Sequence, residues 1–419
     1  MDGTNGTNEE RKGDAKGAMN GKPSKKDVAN DFLLCNRCGS CRSVCPLLPV
    51  YREEWAGGRG KVELAEGFFK GEKLDDREMQ KVFDLCLHCM TCEENCPSGM
   101  RADEIVMAVR ARLAGRGAMP RMKRAALWML GKADGILFRP ARALGLVRRA
   151  PLHGVYGRGP LSFLYPLLGW PRERFIPLPA GKPFLGSGTE LARAADIAAA
   201  PAGWTEGKRP RAAAEGRFDE AKAARLLDLV AAARRANVAA GRRAYFFVGH
   251  AVNQFFPEEA RAVTRLLNLL GVDVIAPKNQ VCCGAPVFYA GDIAGARAAA
   301  FDLLEKFEGH SYDWIVTTCS SGGLMLKEEF PKLFDLTHDG YFEIDWDEEK
   351  ESFFRVPNRS MVKQEYPRAE DLYRQYVGGK VRDANELVAE LLGLRPEGSG
   401  LVGIFDASAA PAAAPAGAA

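Results

Sequence analysis

No stretch of the 419 residues reaches the roughly 18 to 20 consecutive apolar residues that a bilayer span needs. The longest candidate, Leu161 to Trp170, is far shorter and is broken by Pro166. The start of the chain, rich in Gly, Asn and Lys, has no apolar signal core, so the expectation is a reducing compartment in which cysteines stay free for metal. Strong charge is also missing: the net charge is +4 and the pI near 8.4, and no recognised nucleic-acid-binding module accompanies the basic residues, so no nucleic-acid partner is expected. A dinucleotide fingerprint is absent, because Gly57-Gly58-Arg59-Gly60 follows no strand and reads as a turn rather than a phosphate cradle. No paired base and nucleophile stands out either. Substrate conversion is therefore expected to lie in another polypeptide.

Cysteine is plentiful and ordered. Eight of the eleven cysteines form two copies of one pattern, Cys35-x2-Cys38-x2-Cys41-x3-Cys45-Pro46 and Cys86-x2-Cys89-x2-Cys92-x3-Cys96-Pro97. Three thiolates on a tight loop reach three irons of one cubane, and the fourth, held before proline, reaches the other cluster. The pattern assigns Cys35, Cys38, Cys41 and Cys96 to one 4Fe-4S cluster and Cys86, Cys89, Cys92 and Cys45 to a second. Two 4Fe-4S clusters imply one-electron transfer. A zinc ribbon would use paired Cys-x2-Cys knuckles but needs no third cysteine at that spacing and none before proline.

The forty residues between the two runs exceed what a minimal two-hairpin arrangement needs. Lys61 to Lys70 and Asp75 to Asp84 carry helical apolar faces, as does Asp103 to Ala114 with Ile105, Val106, Val109 and Leu113. Residues 29–115 are thus expected to form an α-helical two-cluster ferredoxin domain. Residues 1–28 and 401–419 have the composition of disordered ends. Residues 116–215, interrupted by nine prolines from Pro120 to Pro183, are expected to be an irregular linker or docking segment. Within it, residues 121–174 hold eleven Lys or Arg against only Asp134 and Glu173, interleaved with aromatic and aliphatic residues. Such a segment suits anionic lipid or a membrane subunit; the alternative is an ordinary solvated face.

From residue 216 onward the pattern changes. An Ala-rich helix is expected over Phe218 to Ala236, then strand, helix, strand, helix, strand and helix over Tyr245–Gly249, Pro257–Leu270, Val272–Ala276, Asp292–Phe307, Trp314–Thr318 and Gly323–Phe334. That alternation predicts an α/β domain with a parallel sheet over 216–345, giving an α+β multidomain chain with a helical extension over 346–400. The other three cysteines fall at strand ends, Cys282 and Cys283 before Gly284, and Cys319 before Ser320. Ends of parallel strands are where such sheets carry function, so these thiols are a candidate third redox or metal site.

The stretch from Tyr245 to about Phe330 resembles the cysteine-rich CCG domain of heterodisulfide reductases. Joined to the two cysteine runs, the whole resembles the iron-sulfur subunits of bacterial glycolate oxidase and respiratory D-lactate dehydrogenase. Such subunits in full form have a further cysteine about 32 residues before the Cys-Cys pair, where this chain has Gly249-His250, and close with Cys-x2-Cys, where it has Cys319 and Gly322. His250 is available there as a neutral imidazole ligand or as a hydrogen-bonded structural residue. A second CCG domain is not found after residue 345, and Lys380 to Leu394 resembles the inter-domain helix. The resemblance implies an electron-transfer subunit relaying electrons from a partner FAD-containing 2-hydroxy acid dehydrogenase subunit through two 4Fe-4S clusters to a quinone or membrane-linked acceptor. It also implies, as alternatives, thiol-disulfide catalysis at the CCG site, a separate second CCG-domain protein as partner, and a cytoplasmic location, peripheral at the inner face of a membrane.

Overall fold

A computed structural model describes residues 34–119, 123, 127, 180, 182–185, 190–196, 220–239, 241–336, 344–350, 352–355 and 359–394. The expected disordered ends, nearly all of the Pro-rich segment 116–215 and its basic stretch 121–174 lie outside the described residues. By their contacts the residues divide into two compact units. One comprises 1–128, 284–298 and 329–370; the other comprises 129–283, 299–328 and 371–419. The division interleaves along the chain, unlike the contiguous domains expected over 29–115 and 216–345.

In the first unit the helices Gly58–Phe69, Asp76–Asp84 and Ala102–Gly115 enclose one core. Val62, Ala65, Phe68, Met79, Phe83, Ile105, Val106, Val109 and Leu113 fill it, which is the helical periodicity of the sequence made solid. Asp75 caps the middle helix by accepting from the backbone N–H groups of Arg77 and Glu78, both at 2.9 Å. The first helix begins at Gly58, so two of the glycines expected in a turn lie in its first turn. A later hairpin, Ile344–Asp347 paired antiparallel with Ser352–Arg355, adds Ile344 and Phe353 to the same core. Trp346 and Phe353 pack with ring centroids 4.7 Å apart.

The second unit is built on a five-stranded sheet in the order Leu191–Ala192, Asp273–Ile275, Arg243–Phe246, Trp314–Thr317, Val381–Asp383. The last four are parallel to one another, and only the two-residue edge strand runs antiparallel. Val274, Ala244, Phe246 and Val316 are buried from the sheet, with Leu267 and Leu387 from helices packed on it. Doubly covered parallel strands read as short continuous apolar runs, and the central strands Arg243–Phe246 and Trp314–Thr317 largely do. The expected extension over 346–400 holds more than helix: it contains most of the hairpin of the first unit, which begins at Ile344, and the strand Val381–Asp383. That strand is three residues long with one apolar side chain, too short to register as a strand period. It runs into the helix Ala384–Leu391, whose start is closed by a reciprocal capping box of Asp383 and Glu386.

Candidate metal centres

The two cysteine runs fold alike. Each continues into a short helix, Ser40–Val44 in the first run and Thr91–Glu94 in the second. Each helix is entered through a left-handed residue, Gly39 at φ 84° and Met90 at φ 57°. Arg37 and His88, one residue before the second cysteine of each run, are left-handed as well, at φ 54° and 51°. Repeated left-handed turns curl a short loop so that successive thiols face one volume. A Cβ built on Gly58 would lie 3.3 Å from Cβ of Cys92 and 3.5 Å from Cβ of Cys41, so this glycine lets the two loops close over the start of the helix.

Cys45, Cys86, Cys89 and Cys92 line one cavity, together with Lys61, His88, Asp103 and the apolar walls of Ala56, Ala102 and Val106. Three of these thiols come from the second run and one from the first. Toward the other set, the Asn36 amide donates to the Ser98 hydroxyl at 2.9 Å, linking the first loop to the residue two beyond Cys96. Cys96 Sγ accepts from the backbone N–H of Met100 at 3.4 Å. All eleven cysteines are free thiols.

Burial sets the acidity of these groups. Cys92 is pushed up to about 12, first by burial and then by the neighbouring Cys86, Asp103, Cys41 and Cys89. Cys86 and Cys41 are raised by the same cause. Cys38, on the exposed side, is lowered by the Ser40 hydroxyl. Buried thiols of this kind would bind an iron centre as thiolates, releasing their protons, and the cationic iron would supply the countercharge that the apolar walls do not. His88 is lowered to about 4 by burial, and its buried Nε2 has no hydrogen-bond partner. Glu93 is raised to about 9 by burial and by its hydrogen bond with Asp103. Four free thiols around one apolar-walled cavity fit a cubane held by cysteines, which would supply one-electron redox chemistry there.

Lys61, Arg110 and Asp103 were not singled out in the sequence. Lys61 precedes Ala65 and Phe68 by four and seven positions, and Arg110 follows Val106 by four, so each sits on an apolar helical face. A lone charge in such a stripe was the available signal.

In the second unit, Cys282 is 3% exposed and Cys283 8%, while Cys319 and His250 are half-buried. Cys319 Sγ accepts the Gly322 N–H at 3.4 Å and caps the helix Ser320–Leu324. A Cβ on Gly249 would lie 3.9 Å from Cys319 Sγ, and one on Gly322 3.6 Å from it. The two positions at which this chain departs from the resembled cysteine pattern therefore flank its third cysteine. His250 opens the helix His250–Phe255. Among the described residues no three His, Cys, Asp or Glu side chains converge on a site for a single metal ion.

Comparison with known proteins matches residues 31–100 to a 4Fe-4S dicluster domain and residues 244–327 to a cysteine-rich domain. The chain thus joins a dicluster domain to a cysteine-rich domain. It is 22% identical over 327 residues to the probable glycolate oxidase iron-sulfur subunit of Bacillus subtilis, covering 74% of this chain and 64% of that protein. It is 35% identical over 80 residues to lactate utilization protein A 2 of Bacillus cereus, covering 19% of this chain and 32% of that one. With the glycolate oxidase iron-sulfur subunit of Escherichia coli it shares 36% over 67 residues, 16% of either chain. The chain thus spans less than two thirds of the length of these curated relatives. No solved structure matches it. The dicluster domain over residues 31–100 carries 4Fe-4S clusters. Among the described residues of the chain no helix is long and apolar enough to cross a membrane.

Proposed function

We propose that the chain is the electron-transfer subunit of a 2-hydroxy acid dehydrogenase complex, acting on glycolate or D-lactate. In this reading a partner FAD subunit oxidises the substrate and releases electrons singly to two clusters, one held by Cys35, Cys38, Cys41 and Cys96 and the other by Cys86, Cys89, Cys92 and Cys45. A quinone or another membrane-linked acceptor receives them. The observation that carries the reading is the cavity lined by Cys45 together with Cys86, Cys89 and Cys92, in which thiols from both runs surround one volume. The relatives named for glycolate oxidase and lactate utilization support the substrate class. The test is purification of the complex with its partners, followed by anaerobic addition of glycolate or D-lactate. The expected result is bound flavin and reduced-cluster resonances that appear only when the flavoprotein is present. A complex that never contains flavin, or whose clusters neither acid reduces, would sink the assignment.

A second reading places thiol-disulfide chemistry at Cys282, Cys283, Cys319 and His250. The burial of the adjacent Cys282 and Cys283 favours it. Two cubanes account for about eight irons per chain. A clear excess that vanishes when both cysteines are replaced would support this second site.

A further inference from the structure

The helix Gly58–Phe69 turns Val62, Ala65, Phe68 and Phe69 inward, and Lys61 with them, at 2% exposure. A lysine this deep needs a reason, because burial disfavours its charge and its long side chain loses rotamer freedom. Its Nζ donates to the carbonyls of Trp55, at 3.1 Å, and Ala56. It also lines the cavity formed by Cys45, Cys86, Cys89 and Cys92. The Ala56 carbonyl that accepts from Lys61 lies 3.7 Å from Cys45 Sγ. Burial pulls the Lys61 pKa down, and Cys86, Cys45 and Cys92 oppose that pull.

The charges about the two cysteine sets differ. Beside the cavity stand Lys61 and, behind Cys86, Arg110, whose guanidinium donates to the Cys86 carbonyl at 2.8 Å. The carboxyls there, Asp103 and Glu93, are hydrogen-bonded to each other. Near Cys38 the cations are Arg59 and Arg42, which share the carboxylate of Glu54 at 2.7 and 3.2 Å on the solvent side. One set therefore faces a buried ammonium, and the other faces two more exposed guanidiniums that share one carboxylate.

We infer that Lys61 sets the order of the two reduction potentials, making the cluster held by Cys45, Cys86, Cys89 and Cys92 the more easily reduced. The inference rests on the ligand assignment proposed above. An electron arriving from a reduced flavin adds one negative charge to the cubane and its thiolates, with no proton required. A fixed positive charge in a low-dielectric wall stabilises that added charge more than it stabilises the oxidised state. Electrons then settle on this cluster after entering through either one. A purely structural lysine would serve only to tie down the turn Glu54–Ala56.

Redox-poised EPR titration of the holoprotein separates these roles, with iron content checked for every variant. Cys89→Ser marks one cluster by moving its midpoint. In the unmutated protein the marked cluster is expected to have the more positive midpoint. Lys61→Met should move that midpoint negative and leave the other in place, and Lys61→Arg should restore most of the shift. Should Lys61→Met lose its iron, Lys61→Gln keeps a donor for the carbonyls without the charge and is read in the same way. Both midpoints unmoved in the neutral variants, an equal shift of both, or a marked cluster that is the more negative would overturn the inference. If Cys89→Ser moves both midpoints or neither, the ligand assignment itself has failed and takes the inference with it.

Discussion

The Arg110 guanidinium donates to the Tyr289 carbonyl at 2.8 Å, across 179 residues of sequence. Its remaining N–H groups donate to the Phe83 carbonyl, at 3.2 and 2.6 Å, and to the Cys86 carbonyl. The planar fork thus ties the end of one helix, the first cysteine of the second run and a distant segment to a single buried side chain. Gly291 packs so closely on the Arg110 backbone that a Cβ there would strike its carbonyl. Replacing Arg110 by Met would leave three carbonyls without their donor. At about 1–3 kcal/mol for each buried group left unsatisfied, the expected loss is at least ~3 kcal/mol. Chemical denaturation should register that loss, and a chelator should strip the second cluster before the first; an unchanged unfolding midpoint would contradict it.

How far the sequence carried this architecture depends on the length of each signal. The helices Gly58–Phe69, Asp76–Asp84 and Ala102–Gly115 were legible because each spans two or more turns and shows a repeated apolar face. The central strands were legible as apolar runs between helices. The hairpin at Ile344–Asp347 and the strand Val381–Asp383 were not, since three or four residues cannot establish a period. At the site, cysteine spacing announced the iron chemistry. Lys61 and Arg110 stayed hidden because their meaning depends on backbone carbonyls that only the folded chain brings within reach.

Gly60 tests how tightly the cluster loops are packed. A Cβ there would run into the backbone carbonyl of Glu54 and come within 2.9 Å of the Trp55 Cα. Alanine normally strengthens a helix relative to glycine by up to about 1 kcal/mol, but forcing backbone apart in a packed region costs about 1–3 kcal/mol. Gly60→Ala is therefore expected to destabilise the chain by ~1–2 kcal/mol. Gly115 is the control: it ends its helix with nothing near a built Cβ and no left-handed φ. Gly115→Ala should be neutral or stabilising by up to ~1 kcal/mol. Equal effects of the two substitutions on thermal unfolding would refute the packing argument.

Lys332 lies between two buried carboxylates, 3.4 Å from Glu104 and 3.4 Å from Glu329. Burial alone would lower its pKa, yet Glu329, Glu104 and Asp103 outweigh burial and the net shift is upward. Removing one partner of a buried pair costs about 3–5 kcal/mol, and Lys332→Met should fall near the low end, because Arg101 still pairs with Glu104 at 2.9 Å. The sign of the pH dependence follows from the raised pKa. The contribution of Lys332 is complete below the unfolded lysine pKa of about 10.4 and is lost as pH rises through the higher folded value. The stability gap between the native chain and Lys332→Met should therefore hold from neutral pH to about pH 10 and close above it. A gap that closes already near neutrality would show that the ion pairs are not its source.

Cys319 separates a ligand from a cap. Its sulfur accepts the Gly322 N–H at 3.4 Å at the start of the helix Ser320–Leu324, and the flanking positions 249 and 322 are both glycine. A serine hydroxyl makes a better cap than a thiol, because oxygen is the stronger acceptor and serine is among the favoured N-cap residues. If Cys319 acts only in this way, Cys319→Ser should leave iron near eight atoms per chain and change stability by less than ~1 kcal/mol. Serine is a poor substitute for a thiolate on iron, so a ligand would behave otherwise. Elemental analysis and thermal unfolding of the same preparation decide between the two roles: iron falling below that of the native chain, with the helix still stable, would make Cys319 part of a third centre.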